Sequence, residues 1–261
     1  MFKKLCRKPL QQGPGTTLNK NCFIMKYYSF LLLMMMMASC NLIGDRVRGN
    51  GNITTNTYDL KGFKSIDAAG GFHVLLTQGD AFSVKVETDE NLMKHLHIRV
   101  SEGDLKIETR NNARLLPSEG LKVYVSMPLV KKIEISGASN ITAQNKFVQD
   151  EKLFIDLSGA SEGTLDVRAP AVSIDVSGAS TLRITGQTRD ITADASGAST
   201  IHAADLKAEN TNVEASGASK AHVFASISLK ADASGASNIS YSGNPAVKQN
   251  TSGAASVKKT Q

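Results

Sequence analysis

Residues 136–139 read Ser-Gly-Ala-Ser, and the same tetrapeptide returns from Ser158, Ser177, Ser196, Ser216 and Ser234, with an altered copy, Ser-Gly-Ala-Ala, from Ser252. The intervals are 22, 19, 19, 20, 18 and 18 residues. A period near 20 marks stacked units, each too small to bury a core without its neighbours. Three residues before the first serine stand Ile133, Ile155, Ile174, Ala193, Val213 and Ala231. One residue before it stand Ile135, Leu157, Val176, Ala195, Ala215 and Ala233. Between these two columns lies an acid in every copy: Glu134, Asp156, Asp175, Asp194, Glu214 and Asp232. Apolar–acid–apolar is the period of two of a strand with one buried face. After the tetrapeptide the alternation resumes, with Ile141, Leu182, Ile201 and Ile239 in one inward column, and Ala143, Leu165, Ile184, Ala203, Val223 and Tyr241 in the next. Thr142, Thr164, Arg183, His202, His222 and Ser240 separate them.

Each unit therefore holds two short strands joined by a corner of small residues, where Gly tolerates backbone angles closed to other residues. The remaining residues suffice for a third side. A perimeter of roughly 60 Å, at ~3.3 Å per residue, suits a coil of three short sides. The recurring Gly and the alternating β-branched residues argue against helix. The pattern predicts an all-β fold: a parallel β-helix, or β-solenoid, of short coils over residues 132–261, with successive coils about 4.8 Å apart. The inward columns shrink to Ala in the later units, so the core is expected to thin towards the C-terminus. Asn250 and Thr251 replace the acid and the apolar residue in the last copy, which reads as a capping coil.

Residues 58–131 are β-rich without the 20-residue period. "FKSIDAAGGFHVLLTQG", "FSVKVET", "HIRVSEGDLKIETR" and "LKVYVSMP" alternate as strands between Gly-containing turns. Only Asp89–Leu96 reads as a short helical turn. This portion is expected to form the first coils or a β-cap over the open end, continuous with the repeats as one domain over 58–245, because an uncovered end exposes unpaired backbone. Together, "FKSIDAAGGFHVLLTQG", "LKVYVSMPLVKKIEISGASNIT" and the repeated "SGAS" resemble the auto-transporter adhesin, head GIN-type domain family over roughly residues 62–245. That family is common in lipoproteins of Bacteroidetes-like bacteria. The resemblance implies a β-solenoid, export and surface contact or adhesion, and it carries no catalytic residues with it.

The N-terminus supplies an address. From Met25 the chain reads MKYYSFLLLMMMMASC, with Lys26 ahead of an apolar run from Phe30 to Met37. That run is too short for a bilayer span of ~20 residues and fits a signal h-region. Met37-Ala38-Ser39-Cys40 resembles a bacterial lipobox, in which the cysteine is lipidated and becomes the first mature residue. Residues 1–24 read as an upstream extension, 25–39 as the signal peptide and 40–57 as a flexible tether. The only other cysteines, Cys6 and Cys22, precede the run, so a disulfide framework downstream is excluded. Acyl chains on Cys40 place the protein in the cell outer membrane, on its periplasmic side or at the cell surface. Asn41-Leu42-Ile43-Gly44-Asp45 holds one acid and leans towards the periplasm.

Charge excludes one class. Residues 1–39 carry six basic residues and no acid, leaving 24 of each sign in the rest of the chain. A basic face for nucleic acid is therefore not expected. The acidic column is a candidate row of cation sites, carboxylates being hard oxygen ligands; the alternative is a solvated row relieved by hydrogen bonds to the serine two residues on and by the twist of the coils. His202 and His222 should stack about 5 Å apart, with Arg183 in the same column opposing a metal there. His95 and His97 should share one strand face. No metal centre or cofactor is expected. An enzyme is not expected either: the serines lack a base at constant spacing, Trp is absent, and only Phe147, Phe154, Phe224 and Tyr241 lie beyond residue 133 for stacking on sugars. The leading expectation is a cell-envelope adhesin or surface-binding module for a protein or polysaccharide partner. A structural envelope spacer is the alternative, and a carbohydrate-active β-helix enzyme a distant third. Exposed apolar residues clustered across coils would mark the adhesin, and a uniformly polar surface the spacer.

Overall fold

The repeat winds as a three-sided parallel β-solenoid in the computed structural model, which describes residues 46–260. The upstream extension, the signal and Cys40 lie outside the described residues. On the first side, Ile133 pairs with Ile155, Glu134 with Asp156 and Ile135 with Leu157. The same in-phase register continues through Ile174, Ala193, Val213 and Ala231. On the second side, after the corner, Leu182 pairs with Ile201 and Ala203 with Val223. The strands Glu162–Val176 and Thr181–Ala195 run unbroken from the second side through the third and into the next first side. The third side is lined inside by Phe147, Val167 and Leu206.

The inward columns of the repeat described above are buried, except that Ala143 and Tyr241 are half-buried against the core. Each buried Val, Leu or Ile contributes about 1.5–3 kcal/mol relative to exposure, so these columns drive the winding. The thinning of the core is real on the first side, where Ala193, Ala195, Ala215, Ala231 and Ala233 follow the isoleucines. Ile191, Ile201, Leu206, Leu229 and Ile239 on the other columns stay large and buried.

The corners stack as a glycine ladder. Gly137, Gly159, Gly178, Gly197, Gly217, Gly235 and Gly253 all have φ between 71° and 76°. Each following Ala donates its N–H to the carbonyl of the corner Gly one turn earlier, as in Ala179 to Gly159 at 2.7 Å and Ala198 to Gly178 at 2.8 Å. The fourth corner residue turns inward: Ser139, Ser161, Ser180, Ser199, Ser219 and Ser237 are all buried. Backbone carbonyls accept from several of these hydroxyls, including Ser158 O from Ser161 at 2.7 Å and Ala195 O from Ser219 at 3.0 Å. Serine thus ties the corner to backbone carbonyls, in the case of Ala195 O alongside the ladder bond from Ser216 N–H at 2.9 Å.

The N-terminal portion makes both a coil and a cap. Ser65–Gly70 and His73–Gln78 form a first coil, parallel to Lys132–Gly137 and Asn140–Ala143, with Gly70 opposite Gly137 at the corner. The chain then leaves the stack and returns on the far side of this coil. There Asp104–Thr109 and Lys122–Met127 add parallel strands. Ile53–Tyr58, Ser83–Asp89 and Leu96–Ser101 add antiparallel ones. Phe63, Phe72 and Phe147, the largest fully buried side chains, fill this end. A helix, Glu90–Met93, falls inside the stretch expected to be helical.

One expectation needs correction. Residues 40–57 were to be a flexible tether, but Arg46–Arg48 pairs with Arg114–Leu116, and Ile53–Tyr58 pairs with Ser83–Asp89. The polar threonines of "ITTNTY" hide the strand in the sequence, yet Thr favours strands and the cap offers a pairing edge. Only 40–45 of the tether lies beyond the described residues.

At the other end, Ala246–Thr251 and Ser256–Lys259 complete the coil of the altered copy, and among the described residues no further strand pairs with them. Three of its inward positions turn polar, Gln249 following Ala231, Thr251 following Ala233 and Lys259 following Tyr241, while Val247 and Val257 follow Leu229 and Ile239. Lys248 and Lys258 lie on the same edge strands. Lysines and inward polar groups keep an edge from pairing with another chain. Replacing Gln249, Lys258 and Lys259 together by Val is expected to give end-to-end assembly that grows with concentration in sedimentation velocity. An unchanged monomer would assign the protection elsewhere.

Candidate functional site

The acidic column is the most regular polar feature of the folded chain. Glu134, Asp156, Asp175, Asp194, Glu214 and Asp232 are register partners from coil to coil. The structure adds a seventh member, Asp67, opposite Glu134. The sequence held that signal: Ile66-Asp67-Ala68-Ala69-Gly70 matches Ile133-Glu134-Ile135-Ser136-Gly137, but Ala69 and Gly71 obscure the tetrapeptide.

The two ends of the row are neutralised and its middle is not. Lys106 Nζ donates to Asp67 Oδ2 at 3.2 Å, and Lys132 lies 2.6 Å from Glu134. At the far end Lys230 meets Asp232 at 2.9 Å and Glu214 at 4.0 Å, and Asn250 Nδ2 donates to Asp232 at 2.5 Å. Asp156, Asp175 and Asp194 have no cation within 4 Å among the described residues. Two unit charges ~5 Å apart repel by about 0.8 kcal/mol in bulk water, and more where water is partly excluded. Burial, then the charges of Asp175 and Glu134, push the Asp156 carboxyl above the usual carboxylate range, against Lys132. Burial, then Glu214 and Asp175, do the same to Asp194. Asn250 and Lys230 instead pull Asp232 down.

The relief expected from the serine two residues on is not found among the described residues: lysine and asparagine at the ends do that work. Nor do the carboxylates converge. Among the described residues no three His, Cys, Asp or Glu side chains are grouped to hold a metal ion, so the row is a line of pairs. Beside it the partly exposed corner serines Ser196, Ser216 and Ser234 complete an open groove of about 490 Å³, which runs from Asp175 to Asn250.

Asp156 and Asp194 have folded-state pKa values raised above the ordinary 3.8, so the stability they add is full below 3.8 and is lost as pH rises through the raised values. At neutral pH the row is a liability. Asp194→Asn is expected to stabilise the fold at pH 7 and low salt by a few tenths of a kcal/mol, since the group is partly solvated. The gain should vanish at pH 3 or in 0.5 M salt. Thermal melts across pH and salt read it, and a loss of stability at pH 7 would contradict the repulsion.

On the second side, His202 and His222 stack as expected, ring centroids 5.2 Å apart and planes 3° apart. Burial, Arg183 and the other ring lower the pKa of His202, and Ser240 Oγ lies 2.5 Å from His222 Nδ1. His95 and His97 do not share a strand face: His97 lies in Leu96–Ser101, with Nδ1 3.9 Å from Glu108, while His95 sits in the turn after the helix, its N–H donating to Leu92 O. The exposed large apolar side chains of the coils are scattered. Phe154 is on the first side under Lys152, Val148 on the third, Ile227 leads into a later first side and Val247 lies at the open end of the last coil.

A parallel β-solenoid with repeat-built polar faces and a mixed β-cap is an architecture for meeting extended partners or spanning distance. The chain belongs to the family described as "Putative auto-transporter adhesin, head GIN domain", whose profile matches residues 62–245. Solved structures share the fold. A "putative adhesin" of Bacteroides fragilis is 18% identical, with TM-score 0.77 over 82% of this chain and 100% of that one. A "putative adhesin" of Parabacteroides merdae is 20% identical, with TM-score 0.67 over 84% and 100%. A "putative lipid binding protein" of Parabacteroides distasonis is 21% identical, with TM-score 0.69 over 83% and 100%. No curated protein matches the chain.

Proposed function

We propose that the protein is a non-enzymatic cell-envelope binding module, held in the outer membrane by acyl chains on Cys40. Its first side engages a polar, extended partner, a protein or a polysaccharide. The observation that carries this reading is the register of the acidic and serine columns, which repeat the same hydrogen-bonding groups once per coil along one face. A partner with regular spacing meets the same chemistry at every step. Divalent cations would bridge consecutive carboxylates weakly in the unneutralised stretch from Asp156 to Asp194.

Binding of fluorescent polysaccharides and envelope proteins to cells with and without the gene tests the module. Binding that depends on the gene and falls in a variant with Asp175, Asp194 and Glu214 amidated supports it. Equal binding by both strains overturns it. Calorimetric titration of Ca²⁺ against an ionic-strength-matched NaCl control tests the cation: no heat beyond the control removes it from the reading.

The spacer reading has one observation behind it, the absence of an apolar cluster crossing the described coils. It predicts that deletion changes envelope spacing or integrity while binding is unaltered. Protease shaving of intact cells separates a surface location from a periplasmic one.

A further inference from the structure

The cap end gathers arginines where the chain arrives from Cys40. Arg46 and Arg48 lie on the first described strand, and Arg46 is the direct register partner of Arg114 on Arg114–Leu116. Arg110 precedes that strand by a single 3₁₀ turn. All four arginines are exposed. Like charges directly opposed across a ladder are destabilising, and here they sit on strands of only three residues each. The arginine ion pairs of the described residues are Arg99–Glu108 and Arg189–Asp190, so none of the four has a carboxylate within 4 Å there. Arg110 spends its Nε on Leu96 O at 3.0 Å, leaving the rest of its guanidinium free. Leu116, beside Arg48 in register, is 38% exposed.

Covalent reach sets the distance to the membrane. Five residues separate Cys40 from Arg46, six Cα–Cα steps, and a fully extended chain spans at most ~3.6 Å per step, about 20 Å in all. Asp45 is the only acid of that stretch. With the lipid anchor proposed above, on which this inference rests, the arginine end cannot leave the headgroup region by more than that length.

We propose that this end of the protein docks on the membrane that holds its anchor. Arg46, Arg48, Arg110 and Arg114 lie among the phosphates of anionic lipid headgroups, and Leu116 sits at the interface. Phosphates relieve the opposed pair Arg46–Arg114, and guanidinium groups suit them. The solenoid then stands off the bilayer. Its last corner, six turns beyond Gly137 at about 4.8 Å each, is held roughly 30 Å further out.

The test uses the full lipidated protein in vesicles of phosphatidylcholine alone or with one third phosphatidylglycerol, with a headgroup-attached quencher. Fluorophores are placed at Glu119→Cys in the cap or Lys258→Cys in the last coil. Strong quenching at 119 and little at 258 is expected in the anionic vesicles at low salt. It should weaken in neutral vesicles and in 0.5 M salt, where the Debye length falls below about 5 Å. Replacing Arg46 and Arg114 by Gln should lower the docked-to-undocked ratio about 25-fold, at roughly fivefold per charge. Equal quenching at both positions, or quenching indifferent to lipid charge and salt in the unsubstituted protein, overturns docking and leaves the anchor standing. A mass spectrum without acyl groups on Cys40 overturns the anchor and docking together.

Discussion

Gly178→Ala is expected to cost roughly 3–5 kcal/mol of stability, while Gly62→Ala costs only about 1 kcal/mol. Both glycines have positive φ, +71° and +77°, so both substitutions meet the same left-handed backbone penalty. They differ in their surroundings. A Cβ on Gly62 has nothing within 4 Å, whereas on Gly178 it would lie 2.5 Å from Gly159 O and 3.1 Å from Gly159 N. Both atoms are backbone, and Gly159 O already accepts the 2.7 Å bond from Ala179 N–H. They can move only by opening the corner, and a displaced corner shifts the register of the coils on both sides. Denaturant melts of the two variants against the parent isolate the stacking contribution as the difference between them. Equal costs would mean that the corners are not in contact from coil to coil.

That ladder also explains how much of the fold was legible. A solenoid makes every coil obey one set of spatial constraints, so the constraints print themselves on the sequence at one period: Gly at 178 and 197 for the corner, Ser at 180 and 199 for the buried hydroxyl, Ile174 and Ala193 for the core. The first coil obeys the same geometry with Ala69-Gly70-Gly71-Phe72, where Phe72 takes the place of the buried serine and its N–H donates to Ser139 Oγ at 3.2 Å. One coil written in different letters is enough to hide a seventh acid. The cap was legible only as strands. Its pairing partners are far apart in sequence, and nothing periodic ties Ile53–Tyr58 to Ser83–Asp89 or Arg46–Arg48 to Arg114–Leu116.

The acidic row shows the same division. Its alignment followed from the period alone, but its electrostatics did not. Which members are neutralised depends on Lys106, Lys132, Lys230 and Asn250, and two of these come from the ends of the stack, where the repeat breaks down. The unneutralised middle is a property of stacking order, visible only once the coils are placed.

Nothing in the repeat or its period singles out Asp89, and its removal should have the second largest effect. It is fully buried at the end of Ser83–Asp89. Its carboxylate accepts from Gly51 N–H at 2.7 Å, Ser118 N–H at 2.9 Å and Ser118 Oγ at 2.7 Å. Gly49 packs so closely that any side chain there would strike the carboxylate. One acid thus ties the turn after Arg46–Arg48 to the loop after Arg114–Leu116, the two segments that carry the arginine pair. Asp89→Ala removes the acceptor of three part-buried hydrogen bonds and leaves a cavity where the buried carboxylate stood. A fall of roughly 5–10 °C in Tm is expected, with early proteolysis between residues 46 and 52. The Ser118 N–H above all holds the Asp89 carboxyl below its ordinary 3.8. Its contribution is therefore present above 3.8 and is lost as pH falls through the lowered folded value, opposite in sign to that of Asp156 and Asp194. Acid titration of stability should accordingly flatten on its falling limb in Asp89→Asn, and lose its gain between pH 7 and pH 4 in Asp194→Asn. If the falling limb persists unchanged in Asp89→Asn, another carboxylate carries the acid sensitivity, and the cap is not latched through this residue.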